Sequence, residues 1–155
     1  MAREKERKKE NEKPLIIITI PAYNEQDTIA STLDEIHKVM KSTSYKYILQ
    51  VVDDGSQDNT SAIAREHNAI VIQHKRNLGL AKAFQTELQS CLEKNAAIII
   101  HTDADGQYHP KHIPEMIAKI EQGYDLVLGS RFKDKITYKN QKSKRLLKFL
   151  ILYTK

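Results

Sequence analysis

The segment LIIITI (Leu15–Ile20) is an almost unbroken run of apolar and β-branched positions, too continuous for a strand with one wet face. Such a run predicts a strand buried on both sides, as in a sheet covered by helices above and below. YILQVV (Tyr47–Val52), AIVI (Ala69–Ile72), AAIIIH (Ala96–His101) and YDLVLGS (Tyr124–Ser130) have the same character. Between these runs the period changes. Ile29, Leu33, Ile36 and Met40 recur at helical spacing, with Asn24 as the N-cap candidate. A short helix is expected from Ala62 to Glu66, capped by Asp58 or Asn59. NLGLAKAFQTELQSCLEK predicts a longer one with Leu80, Phe84, Leu88, Cys91 and Leu92 inward, and PKHIPEMIAKIEQ one with Ile113, Ile117 and Ile120 on a single face.

Strand and helix therefore alternate along the chain, joined by short polar connections. The pattern predicts an α/β, Rossmann-like domain, a mostly parallel sheet with helices on both faces. Ligands of such sheets bind outside the carboxyl ends of the strands. The loops of interest are then PAYNE, DDGSQD, HKRNLG, DADGQ and GSR. Residues 1–13 are charged and aperiodic, and are read as a disordered arm. No internal repeat is visible.

Composition narrows the class without changing it. The chain has 155 residues, 40% apolar and 29% charged, as expected of one soluble domain. A single cysteine, Cys91, excludes a disulfide framework and reads as a small core residue. No apolar run approaches the ~20 residues of a membrane span, and the N-terminus lacks the apolar region of a signal peptide. A cytoplasmic location is expected. Charge is uneven: Arg131 to Lys155 holds nine Lys/Arg against the single acid Asp134, within a chain of net charge +5. This basic segment could meet phosphate, nucleic acid or anionic lipid.

The loops carry the chemistry. Neither G-x-G-x-x-G nor a Walker A loop is present, so a bound nucleotide would need positive charge from elsewhere. A divalent cation suits that need, because Mg²⁺ and Mn²⁺ take oxygen ligands from a carboxylate or two plus substrate phosphates. Asp103 and Asp105 fall on one side of an extended stretch, about 6–7 Å apart along the backbone. One can take the metal while the other holds a hydroxyl or a metal-bound water; Gln107 continues the alternation with a neutral oxygen. Asp53 and Asp54 end the second strand beside a turn glycine, where an acid can accept from a base or a ribose hydroxyl. Arg131 closes the fifth strand and can bind phosphate oxygens bidentately. His101, His109 and His112 match no structural zinc spacing; His109 and His112 are expected at the surface, flanking a helix start.

PAYNE, VVDDGSQDNT, NLGLAKA, DADGQYHP and GSRF, in this order, resemble a family 2 glycosyltransferase with the GT-A fold. Within that family the chain is most similar to the dolichol- or polyprenyl-phosphate sugar synthase branch. The resemblance covers Leu15 to about Phe132, so 14–132 is expected as the GT-A nucleotide-sugar-binding domain. It implies that Pro21, Tyr23 and Glu25 line the nucleotide pocket, and that Val52 and Asp54 contact base and ribose. Asp103, Ala104 and Asp105 would meet the sugar nucleotide. Asp103, Asp105 and Gln107 would hold Mg²⁺ or Mn²⁺, with Asp105 as the direct ligand. Arg131 would contact diphosphate or acceptor phosphate, and Arg145 the acceptor phosphate; Asp105, Arg131 and Arg145 are the catalytic candidates.

The implied reaction is inverting transfer of a sugar from a GDP- or UDP-sugar to an acceptor such as a polyprenyl phosphate. Nucleic acid is not expected as a partner. Two departures stand out. Glu87 occupies a helix position that is usually small in the family, so it points outward or alters packing on the sheet. The family's catalytic domains also continue past the GSR strand, and 133–155 is read as the start of a truncated acceptor-side region. Its segment LLKFLILY is expected as a helix, acceptor-side or interfacial, giving peripheral membrane contact through 139–155. A non-catalytic nucleotide-sugar-binding module is the alternative. A phosphoreceiver domain would carry its acid pair after the first strand and a lysine after the last; PAYNE and GSR stand there instead.

Overall fold

The computed structural model describes residues 14–105, 109–129 and 149–153. Its elements run β1 (Leu15–Ala22), α1 (Ile29–Lys41), β2 (Lys46–Asp53), α2 (Thr60–Glu66), β3 (Ile70–Gln73), α3 (Leu80–Glu93), β4 (Ile98–His101), α4 (Ile113–Glu121), β5 (Leu126–Gly129) and β6 (Phe149–Tyr153). A 3₁₀ turn, Pro110–His112, leads into α4, with His109 and His112 exposed as expected. The strands form one sheet in the order β3-β2-β1-β4-β6-β5. β1 pairs in parallel with β2 and β4, and β2 with β3. β6 is antiparallel to both β4 and β5.

The alternation of β1 separates two cores. Ile16, Ile18 and Ile20 face a large cluster with Leu49, Val51, Ile98 and Ile100, covered by α1, α2 and α4. Ile17 and Ile99 face a smaller one with Cys91 and Ala96, covered by α3. Both faces of β1 are dry, which is why its sequence is a run rather than an alternation. The chain steps outward from β1 to β3, then returns to the other side of β1 for β4. That reversal requires α3 to cross the opposite face if the right-handed crossover is to be kept.

Several expectations are corrected. β1 runs beyond the Leu15–Ile20 segment through Ala22, with Pro21 opposite Val52. Asn24 does not cap α1; it takes φ +54°, a conformation asparagine tolerates, and the helix starts after Thr28. The inward face of α3 is rotated from the leucine stripe: Ala83, Glu87, Ser90 and Cys91 are buried, whereas Leu80 is 67% and Leu92 53% exposed. Small and polar residues bring this helix close to a sheet face that itself presents Thr19 and Gln50. Gln50 Nε2 donates to Thr19 Oγ1 at 3.1 Å, and Ser90 Oγ donates to Gln50 Oε1 at 2.7 Å. Finally, Phe149–Tyr153 is a strand and not the expected helix. Its aromatic and branched residues suit a ladder, and both its edges are paired.

Cys91 is buried as expected, and burial pushes its thiol up to about 12, leaving it unreactive at neutral pH. Among the described residues, no helix is long and apolar enough to cross a membrane.

Replacing Ile18, wholly buried in the larger core, by alanine should cost about 2–5 kcal/mol. The rotated α3 makes the opposite prediction for Leu80→Ala, a change within ~0.5 kcal/mol. Urea unfolding midpoints of the two variants check both.

Candidate active site

Three strand ends and their loops build a crevice of about 390 Å³ at the carboxyl edge of the sheet. Its lining includes Pro21, Tyr23 and Glu25 after β1, Asp54 after β2, and Asp103, Ala104 and Asp105 after β4. Asn77, Gly79, Leu80 and Ala83 form the remaining wall. The crevice lies where the strand order reverses between β1 and β4, the position expected for a ligand in a doubly wound sheet.

The first two loops are laced together. Asn24 N–H donates to Ser56 Oγ (2.9 Å), and Gln57 N–H to Asn24 Oδ1 (2.9 Å). Glu25 N–H donates to Thr60 Oγ1 (2.8 Å), Gln26 N–H to Asp58 Oδ2 (3.2 Å), and Asn59 N–H to Gln26 Oε1 (3.2 Å). Such reciprocal bonds satisfy the loops' own polar groups and fix the segment that carries Tyr23 and Glu25.

The adjacent acids Asp53 and Asp54 do different work. Asp53 is fully buried and accepts from Ser56 N–H (2.8 Å) and from the Ser61 hydroxyl, closing the turn into α2. Asp54 accepts from Leu78 N–H (2.9 Å), Gly79 N–H (2.7 Å) and His74 Nδ1 (2.7 Å). His74 Nε2 lies 2.9 Å from Thr86 Oγ1, so the same clamp reaches α3. Burial raises the Asp54 carboxyl, but the His74 and backbone hydrogen bonds outweigh it, and the net shift is downward. Gly55 makes the clamp possible. It has φ +78°, and a Cβ there would stand 2.4 Å from the backbone carbon of Arg76.

The D-x-D segment is anchored from below. Thr102 N–H donates to Thr19 O (3.1 Å), and buried Thr32 Oγ1 donates to Ala104 O (3.0 Å). Ala104 sinks into the larger core while half-buried Asp103 and Asp105 line the crevice on either side of it. Among the described residues, no group of three or more His, Cys, Asp or Glu is disposed to hold one ion. Two carboxylates on an open edge still fit a hard cation that completes its shell with diphosphate and water oxygens.

Of the residues expected from sequence, Pro21, Tyr23, Glu25, Asp54, Asp103, Ala104 and Asp105 come together. Val52 is fully buried and does not line the crevice. Gln107, Arg131 and Arg145 lie outside the described residues. Sequence reasoning missed Leu80 and Ala83 as wall residues, and Thr32 and His74 as supports. The HKRNLG loop pointed to the wall, but the contacts of Thr32 and His74 are tertiary.

A family model for glycosyl transferase family 2 matches residues 17–154, and the chain belongs to that family. An uncharacterized protein of Methanocaldococcus jannaschii is 43% identical over 126 residues, covering 81% of this chain and 50% of that protein. The UDP-N-acetylglucosamine–dolichyl-phosphate N-acetylglucosaminyltransferase of Methanococcus voltae is 33% identical over 144 residues, covering 81% and 55%. The chain thus spans about half the length of these curated relatives. Glucosyl-3-phosphoglycerate synthase from Mycobacterium tuberculosis, solved with Mn²⁺, UDP and glucosyl-3-phosphoglycerate, superposes with a TM-score of 0.60 at 25% identity. That match covers 73% of this chain and 42% of the synthase. The sheet and crevice are those of the GT-A fold.

Gly55→Ala should lose at least about 1–2 kcal/mol from the left-handed conformation alone, with the clash added. Faster tryptic cleavage after Lys75 or Arg76 would report the loosened loop. For Asp54 the sign is fixed by its lowered pKa. Its stabilisation is present above the unfolded carboxyl value and is lost as pH falls through the folded one. Asp54→Asn should therefore flatten the loss of thermal stability on acidification.

Proposed function

We propose that the crevice binds a nucleoside-diphosphate sugar with Mg²⁺ or Mn²⁺, in an inverting glycosyltransferase whose acceptor is a polyprenyl phosphate. The carrying observation is the disposition of Asp103 and Asp105, held at the crevice by the burial of Ala104 and its bond from Thr32. Glu25, Asp54, Asp103 and Asp105 line the crevice, and the described lining includes no lysine or arginine. A cation between a diphosphate and these acids would offset their repulsion. Bound at Asp103 and Asp105, with Gln107 as a further oxygen donor, a divalent ion would stabilise charge on the departing nucleoside diphosphate.

The chain's own groups supply the rest. Tyr23 presents a half-exposed ring at the mouth of the crevice, and with Pro21 it offers an apolar surface for the base. The laced PAYNE and GSQDNT loops hold that surface still, so little ordering remains for the moment of binding. Arg131 is assigned to the diphosphate or acceptor phosphate, and Arg145 to the acceptor phosphate. A polyprenyl phosphate is already an anion at neutral pH, so its oxygen can attack the anomeric carbon without a general base. The Methanococcus voltae relative, named for a dolichyl-phosphate acceptor, supports this choice. A lipid acceptor also suits a peripheral site at the inner face of the membrane.

Calorimetric titration with UDP and GDP tests the reading. One of them should bind the wild-type chain in the presence of Mn²⁺ and lose most of its affinity on chelation. Asp105→Ala should abolish the metal-dependent part while leaving the unfolding midpoint nearly unchanged. Binding unaltered by chelation or by Asp105→Ala would sink the proposal.

A further inference from the structure

Helix α3 is fastened to the sheet by polar contacts, and one of them has no evident use in folding. Glu87 lies in the middle of the helix with its side chain wholly buried. Its Oε2 is 2.8 Å from His101 Nδ1. Burial raises this carboxyl, against the opposing pull of His101 and of the Thr19 hydroxyl. Phe84, one turn earlier, packs edge-on against the His101 ring, with centroids 5.1 Å apart and planes at 90°. The imidazole is therefore gripped by two residues of α3.

For stability alone this is a poor arrangement. Taking an acid out of water costs free energy, and an apolar pair of similar volume is often as stable or more so. The location supplies the reason. His101 is the last residue of β4, immediately before Thr102 and the Asp103–Asp105 segment. Asp103 is close enough to push the Glu87 carboxyl further upward. One turn before Glu87, Ala83 lines the same crevice as Asp103 and Asp105. The α3 wall and the acidic wall are separate elements, and the Glu87–His101 bond joins them directly.

The geometry points to Glu87 and His101 as a positioning pair that sets the separation between α3 and the Asp103–Asp105 segment, and through it the affinity for a metal–nucleoside diphosphate. Neither residue touches the ligand. This assignment rests on the donor-binding reading of the crevice. Outer residues that orient metal-binding carboxylates commonly change metal affinity by about 10- to 100-fold when removed, and that is the range expected here.

The test is calorimetry of UDP or GDP with Mn²⁺, and of Mn²⁺ at saturating nucleotide, on variants shown to be folded by circular dichroism. His101→Ala and Glu87→Ala should each weaken both titrations about 10- to 100-fold. Glu87→Gln keeps an acceptor for His101 and should remain near wild type. Leu88→Ala loosens the apolar packing of the same helix and should leave binding by the folded protein unchanged. If Glu87→Ala does not fold, His101→Ala and His101→Asn decide, since both leave Glu87 on the helix.

Wild-type affinity in the His101 variants overturns the pair, as does a Leu88→Ala loss equal to theirs. A Glu87→Gln loss as large as that of Glu87→Ala also overturns it. Absence of nucleotide binding by the wild-type chain overturns the donor reading itself, and the pair's role with it.

Discussion

The carboxylate of Asp54 is the joint on which the crevice depends. It is 4% exposed and sits at the end of a central strand, where a bare charge would be costly. Three donors meet that charge: His74 Nδ1 and the backbone N–H groups of Leu78 and Gly79. They belong to the loop that enters α3, so satisfying one buried acid also determines where a helix begins. Gly55 next to it allows the close approach. Without that joint, the Asn77–Ala83 wall would face the acids across an undefined gap.

The helix that follows is docked in an unusual way. α1 and α4 bury isoleucine, leucine and methionine against the larger core. α3 adds to a small apolar contact the bonds of Glu87 and Ser90 to side chains of the sheet and of Thr86 to His74 in the loop after β3. Apolar packing tolerates small slides, because contact energy changes gradually with position. Hydrogen bonds to buried groups do not, since a displaced donor leaves a desolvated partner behind. The face bearing the crevice wall is thus held by directional bonds, and the opposite face by bulk.

The sequence was most readable where one physical rule acts alone. Strands β1 to β5 and their intervening helices followed from runs and periods, and the crevice loops from the parallel arrangement. D-x-D was legible because extended backbone places both acids on one side whatever surrounds them. Reading failed where tertiary contacts compete. The leucines at positions 80 and 92 of α3 look like an inward stripe, yet Thr19 and Gln50 on the sheet select the polar face. Asn24 looks like a cap until its partners in the neighbouring loop are seen. The leucines of LLKFLILY read equally as a helix face, and the edges of β4 and β5 make Phe149–Tyr153 a strand. Glu87 was visible as an anomaly, but only three-dimensional proximity reveals His101 as its partner.

The place of β6 also governs the order in which the sheet can be assembled. β5 reaches the sheet through β6 and not through β4 directly. Since β6 follows β5 in the chain, β5 must wait beside an open edge of β4 until Phe149–Tyr153 has left the ribosome. Its pairing closes contacts between His101 and Leu150 or Ile98 and Tyr153, a long separation and an intrinsically slow event. During synthesis β1 to β4 can therefore be paired while the edge of β4 remains open. An open strand edge of that kind presents unpaired N–H and C=O groups to any other strand it meets.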